Sequence, residues 1–293
     1  MDSTKSDETP KKELGLEVLE AFLIYEQHSK QYLAMLPDIL NGEFKSLQPV
    51  VRLLMHQMTD RIVYGVQHCN AISSVATSHC EIDLATINRS IYETIVTLIF
   101  ILKKNSESRF LSYCINSIES DLRRIRQVQN WEKHPDLEIS ISANAWLGNE
   151  RTTEEDRKDI CKSFNVHPSQ VQKLPDVLNR AKDAGDVWAY FYDTRYRETS
   201  GWSHGHISRI WTSASYHRQD DKAPGKAINL ALVMTSWTVE MLFRLIESFS
   251  EISQNPEYAK RAEKIRTAMY EKITPILDRH GFVSSIELPD IQT

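Results

Sequence analysis

The sequence predicts an all-α protein, a multi-helix bundle with a small helical insertion. Three observations predict it. Apolar residues recur at spacings of three, four and seven along most of the chain, and no stretch alternates convincingly with period two. Glycine and proline, which end helices and fill turns, number only nine and ten in 293 residues. Hydrophobic residues make up 41% and charged residues 26%, the balance of a globular chain with enough length to bury a core.

Residues 1–11 are polar and read as a disordered tail. A first helix is predicted from Lys12 to Leu36, with Leu16, Leu19, Phe22, Leu23, Leu33 and Leu36 as apolar positions. It stops before Pro37, because the residue preceding a proline is pushed out of helical geometry. Residues 40–47, with Asn41-Gly42, read as a loop. Pro49 suits a first helical turn and opens a second helix running to about Ser78. Asp83 can cap a third, which ends on Lys103 and Lys104 at the negative end of its dipole. A fourth covers Ser106 to Trp131 and carries the basic run Arg123-Arg124-Ile125-Arg126.

The character changes at about 134–185. Thr153-Glu154-Glu155-Asp156 reads as a helix start, and a short helix is expected near Pro168. These small helices are read as an insertion in a single helical domain, 12–280, with a tail at 281–293. A helical pattern resumes from Asp186 to about Ser215. A loop follows over Tyr216 to Gly225, and the last two helices are Lys226 to Ser250 and Pro256 to Arg279.

The formal net charge is −5, so a contact with nucleic acid needs a local basic patch. No apolar run reaches the roughly 18 residues of a membrane span without charge, and the N-terminus lacks a signal-peptide pattern, so no membrane role and a cytoplasmic location are expected. Cys69, Cys80, Cys114 and Cys161 form no Cys-x-x-Cys pair and read as reduced thiols. The signatures of dinucleotide enzymes, P-loop NTPases, α/β-hydrolases and zincins are absent, and no cofactor is implied.

The most unusual stretch is 192–206. On an α-helix Tyr196, Ser200 and His204 share one stripe, with Arg197 on its flank. Histidine titrates near neutrality and can move a proton to or from a ribose or leaving oxygen. Arginine can clamp a phosphate. RNA brings its own nucleophile, the 2′-hydroxyl, so this set needs no metal. Arg195, Arg197, Arg209 and Arg218 make the region locally basic. The same stripe also fits a buried hydrogen-bonded seam, with Gly201 and Gly205 admitting a neighbouring helix.

Arg89 and Glu93, four apart on an otherwise apolar helix, read as a structural ion pair or as part of the same site if the two helices meet. His68-Cys69 and His79-Cys80 lie about three turns apart, too far for one helix to close a zinc site, and ordinary helix positions are the better reading. The arginine run at 123–126 fits either a phosphate-binding edge or a solvated face. The six tryptophans fit either base-stacking residues or core positions, and most are read as core.

The pairing of Arg89-Ser90-x-x-Glu93 with Tyr196-x-x-x-Ser200-x-x-x-His204 resembles the bacterial helical family DUF5677, over roughly residues 50–250. The segment Arg197 to His204 also looks like the Arg-x4-6-His motif of HEPN-domain ribonucleases. Those are helical bundles that usually dimerise and cleave RNA without metal, many of them in toxin or antiphage systems. This resemblance implies a phosphate-binding Arg197 and an acid/base His204 as catalytic residues. Arg89, Glu93, Tyr196 and Ser200 then become binding residues. RNA is the implied substrate, in a homodimer and alongside a partner protein from the same defence operon. The spacing sits at the long limit of the motif, and Glu198 stands where those enzymes commonly have Asn, Asp or His. The rival readings are a noncatalytic ligand- or nucleotide-sensing module and a structural partner-binding bundle.

Overall fold

The computed structural model describes residues 8–74, 80–132, 150–203 and 223–280, with side chains described over 16–73, 82–131, 150–200 and 230–279. Among these residues the regular structure is all helical: α1 Glu8–Glu43, α2 Pro49–Ser74, α3 Cys80–Lys103, α4 Ser106–Glu132, α5 Glu150–Ser163, a 3-10 turn Pro168–Gln170, α6 Val177–Ala184, α7 Asp186–Phe191, a π-helical turn Tyr192–Tyr196, α8 Arg197–Ser203, α9 Ala223–Ser253 and α10 Pro256–His280. They fall into two compact units, Met1–Ile99 with Arg180–Thr293, and Phe100–Asn179.

In the larger unit α1 packs against α2, α9 and α10, and α9 packs against α2 and α10. Tyr25, Tyr32, Leu36 and Ile39 from α1, Ile62 from α2, Ile91 from α3 and Phe243 and Phe249 from α9 are fully or almost fully buried. Burying an aliphatic or aromatic side chain of this size contributes roughly 1.5–3 kcal/mol each. Polar pins fix the register within this apolar interior. Ser73 Oγ and Thr235 Oγ1 lie 2.6 Å apart between α2 and α9, and Thr238 Oγ1 donates to Asn88 Oδ1 between α9 and α3. Gly65 lets α2 and α3 close together: a Cβ there would stand 2.7 Å from Ile91 Cγ1.

Two expectations at the first helix are corrected. The helix does not end before Pro37 but runs through it to Glu43. Proline forfeits one backbone hydrogen bond in a helix interior. Here that loss is outweighed by packing on both sides of it, since Leu36, Ile39, Leu40 and Phe44 are all buried. Asn41-Gly42 is accordingly helical, and the end of α1 is held by Glu43 Oε1, which accepts from Asn255 Nδ2 and Tyr258 Oη. The helix begins at Glu8, inside the segment read as a tail.

Within α3, Ile82–Lys103 is long and apolar enough for a membrane span by composition, yet two thirds of it is buried inside the protein. It is a core helix. Among the described residues, three connectors turn on a left-handed non-glycine residue: Asn105 after α3, Asn165 after α5 and Gln254 between α9 and α10. Asparagine tolerates that conformation because its short amide bonds locally. Gly185, between α6 and α7, has φ +136°, which only glycine adopts freely.

The smaller unit has its own core. Leu111 and Ile115 of α4 and Cys161 of α5 are buried, with Ile160, Phe164, Val166 and Val171 packed on them. Arg126 closes the two helices, its Nε 2.6 Å from Glu150 and its Nη2 3.5 Å from Glu154. This unit starts earlier than the insertion read at 134–185, because α4 pairs with α5. Helix α5 also begins at Glu150, three residues before Thr153. At the other end, Arg109 stacks on Phe100, 4.1 Å from the ring centroid.

Candidate functional site

The site forms where α3 meets the turn after α7. Helix α3 places Arg89 and Glu93 one turn apart, and Arg89 Nε donates to Glu93 Oε1 at 3.0 Å. Tyr196 Oη donates to the same carboxylate oxygen at 2.7 Å. The Arg89 guanidinium stands 5.4 Å from the centre of the Tyr196 ring. One carboxylate thus gathers a cation and a phenol from segments about a hundred residues apart. Arg89, Glu93 and Tyr196 are brought together as the sequence suggested they could be.

Tyr196 is 8% exposed and lies among other rings. Tyr192 stacks on it at 5.0 Å between centroids and Tyr92 lies at 5.3 Å. Burial, reinforced by the bond to Glu93, pushes its phenol up to about 12. Burial opposes the charge on Arg89, but the bond to Glu93 and the electrostatic pull of Tyr196 and Glu93 together outweigh it and leave the guanidinium more firmly protonated than usual. The α3 backbone below is braced as well. Thr97 Oγ1 donates to the Glu93 carbonyl at 2.6 Å and accepts from the buried Arg180, while Tyr92 Oη donates to the Trp188 carbonyl at 2.7 Å.

The continuous α-helix expected through this region is interrupted. Residues Tyr192–Tyr196 make a π-helical turn, in which the Arg197 N–H reaches back five residues to the Tyr192 carbonyl. Such wide turns occur in short pieces and often at functional sites. The wider turn separates neighbouring side chains. Tyr196 points inward to Glu93. Arg195 also turns inward, its guanidinium 4.6 Å from the Trp237 ring centre and 5.6 Å from that of Phe191. Burial makes Arg195 easier to deprotonate than an ordinary arginine. It therefore does not belong to the basic surface read at 195–218.

Arg197 opens α8 on the outside. Its side chain is 69% exposed and pairs at 3.6 Å with Asp193, one turn back. Arg197 and Tyr196 consequently do not line one pocket. Ser200 is half-buried on α8. His204 lies outside the described residues, as do Arg209 and Arg218.

The remaining sequence candidates have plain structural roles or fall outside these limits. His68 Nδ1 bonds the Tyr64 carbonyl on its own helix, and Cys69 is buried, its thiol pushed up to about 12. His79 and the Cys80 side chain lie outside the described residues. Cys69, Cys114 and Cys161 are free thiols. Among the described residues no three His, Cys, Asp or Glu groups converge as a metal site would require. In the arginine run Ile125 is buried, Arg126 holds α5, and Arg124 approaches Asp121 at 4.0 Å. Trp188 is buried and donates to Ser248 Oγ, whereas Trp131 is exposed.

Sequence reasoning passed over a second charged cluster. Glu240 of α9 is 5% exposed, with Arg244 Nε at 2.9 Å and Arg266 Nε at 3.6 Å. Its only sequence signal is that Glu240 is the one charged residue between Ile228 and Phe243. The arrangement is that of a buried ion-pair network joining α9 to α10.

No curated protein and no solved structure matches the chain. One family model does, over residues 62–224, more than half of the chain and every element that carries Arg89, Glu93, Tyr196, Arg197 and Ser200. The chain therefore belongs to DUF5677, a family of unknown function.

Proposed function

We propose that this protein is a metal-independent endoribonuclease of the HEPN kind, acting on RNA in the cytoplasm as a homodimer. The observation that carries this reading is the exposed Arg197 at the head of α8, directly after a Tyr196 locked onto Glu93. A guanidinium meant for a phosphate has to be open to solvent and fixed at its base. Arg197 is open, and its surface pair with Asp193 is the kind that contributes little and yields easily to a phosphate. Arg89, Glu93 and Tyr196 act as the clamp that fixes α8 on α3.

In this mechanism Arg197 holds the scissile phosphodiester and offsets the charge that builds on its oxygens. The 2′-oxygen of the substrate attacks phosphorus, and the bond from phosphorus to the 5′-oxygen breaks. His204 takes the 2′-hydroxyl proton, and an imidazolium, that of His204 or of the second copy in the dimer, returns a proton to the leaving 5′-oxygen. The products are a 2′,3′-cyclic phosphate and a 5′-hydroxyl. An antiphage or toxin setting with a partner protein from the same operon is the role such an activity would serve.

The test is cleavage of labelled single-stranded RNA and of tRNA in EDTA by wild type, Arg197→Ala and His204→Ala, with melting curves for all three. The expected result is cleavage by wild type and at least about a hundredfold loss in each variant at unchanged melting temperature. No cleavage by wild type, or equal cleavage by all three, overturns the reading. A second reading, a noncatalytic binding module, is favoured by the Glu93 side chain, which remains 36% exposed beside Arg89. It predicts RNA or nucleotide binding without turnover, lost in Glu93→Gln.

A further inference from the structure

The smaller unit holds a groove of about 710 Å³ between α4, α5 and the turn that follows α5, a volume typical of small-ligand sites. Charge is sorted on α5. Glu150 and Glu154 reach Arg126 of α4, Glu155 pairs with Arg151, and Glu154 Oε2 holds Arg157 at 2.9 Å. None of these acids lines the groove, although Glu154 holds Arg157, which does. Lys158 and Lys162, one turn apart, line it and have no carboxylate partner among the described residues.

The opposite lip adds neutral donors. His167 Nδ1 accepts from the Ser169 backbone N–H at 3.3 Å and lies 2.7 Å from Ser169 Oγ. An Nδ1 that accepts leaves the proton of the neutral ring on Nε2, which becomes a donor. Arg157 Nε is buried with no acceptor among the described residues. The groove is thus rich in donors and poor in acceptors. One acid, Glu119, stands on its rim, 4.0 Å from Arg157 Nη1. Val166 and Pro168 give it an apolar side.

We propose that this groove binds the phosphate ester of a nucleotide, free or within an RNA strand. Lys158, Lys162 and the His167 Nε2–H take the phosphate, and Val166 and Pro168 lie against the base. The chemistry is that of charge-assisted hydrogen bonds to phosphate oxygens beside an apolar wall. It does not depend on the cleavage proposed above, because it uses a different unit and none of the residues of that site.

The test measures binding of the full chain to AMP, to adenosine and to a short 2′-O-methyl RNA, which cannot be cleaved because its 2′-oxygens are blocked. Wild type is compared with Lys158→Gln/Lys162→Gln and with Lys45→Gln, an exposed lysine outside both sites. The expected result is binding of AMP or the RNA, competed by inorganic phosphate, at least about tenfold weaker in the double lysine variant and unchanged in Lys45→Gln. AMP binding identifies a free-nucleotide site, and RNA binding without AMP binding identifies a strand-tracking one. The proposal is overturned if neither probe binds or if adenosine binds as well as AMP. It is equally overturned if the double variant melts earlier while binding is unchanged, since the lysines would then serve only the C-terminal dipole of α5.

Discussion

The Tyr196 hydroxyl donates to Glu93 Oε1 at 2.7 Å and so ties the turn before α8 to the middle of α3. Removing it with Tyr196→Phe keeps the ring stack on Tyr192 and Tyr92 and deletes one hydrogen bond to a charged acceptor. Glu93 keeps Arg89 and stays partly hydrated, so the expected loss is about 1 kcal/mol. Urea unfolding at neutral pH measures it. A variant as stable as wild type would show that the bond does not anchor the turn.

The same phenol gives a pH dependence. Its pKa is raised to about 12 by burial and then by Glu93, against an ordinary value of about 10. Below about pH 10 the phenol is neutral in both folded and unfolded chains, and its full contribution is present. Between about 10 and 12 the unfolded chain releases the proton and the folded one holds it, so stability falls. Tyr92 and Tyr32, also raised by burial, act in the same direction. The stability gap between wild type and Tyr196→Phe should therefore narrow across that window. A gap that stays constant with pH would contradict the raised value.

Gly65→Ala sets two effects against each other. Alanine favours the helix by about 1 kcal/mol over glycine. Its methyl would stand 2.7 Å from Ile91 Cγ1, an inner atom of a β-branched, buried side chain that cannot swing clear. Overpacking of this kind typically costs about 1–3 kcal/mol, so net destabilisation is expected. Differential scanning calorimetry decides it, and a raised melting temperature would mean that α2 and α3 can move apart.

Glu240→Ala should be clearly destabilising. It removes the carboxylate that Arg244 and Arg266 share and leaves Arg244 with Glu247 and Arg266 with Glu263, a loss that costs about 1–3 kcal/mol. Replacing Glu240 and both arginines together by apolar residues of similar size should recover most of that loss. Denaturant midpoints of the single and triple variants test both statements.

The helices were legible where local chemistry marks their ends. Pro49 and Pro256 open α2 and α10, and Ser106 opens α4, each at the residue the sequence indicated. Pro37 misled because its local rule was overridden by the buried residues on either side, which only the tertiary packing reveals. At the site, the meeting of Glu93 with Tyr196 was foreshadowed by spacing alone, since a charged pair on an apolar helix needs a neighbour. The opposite fates of Arg195 and Arg197 were not legible. They follow from the π-helical turn, which is stabilised by contacts with Trp237 and Glu93 on other helices and leaves no pattern of its own in residues 192–196.

That wide turn acts as a phase setter. Each residue advances an α-helix by about 100°, so one extra residue in a turn rotates everything downstream by that amount. The outward aim of Arg197 is consequently fixed by how many residues stand between Phe191 and α8 as well as by the contacts that Arg195 and Tyr196 make. Deleting a single residue there would leave the composition of the site almost intact and yet swing α8 by about a quarter turn, carrying Arg197 away from its present bearing. Spacing between these positions thus constrains the site as strongly as side-chain identity does.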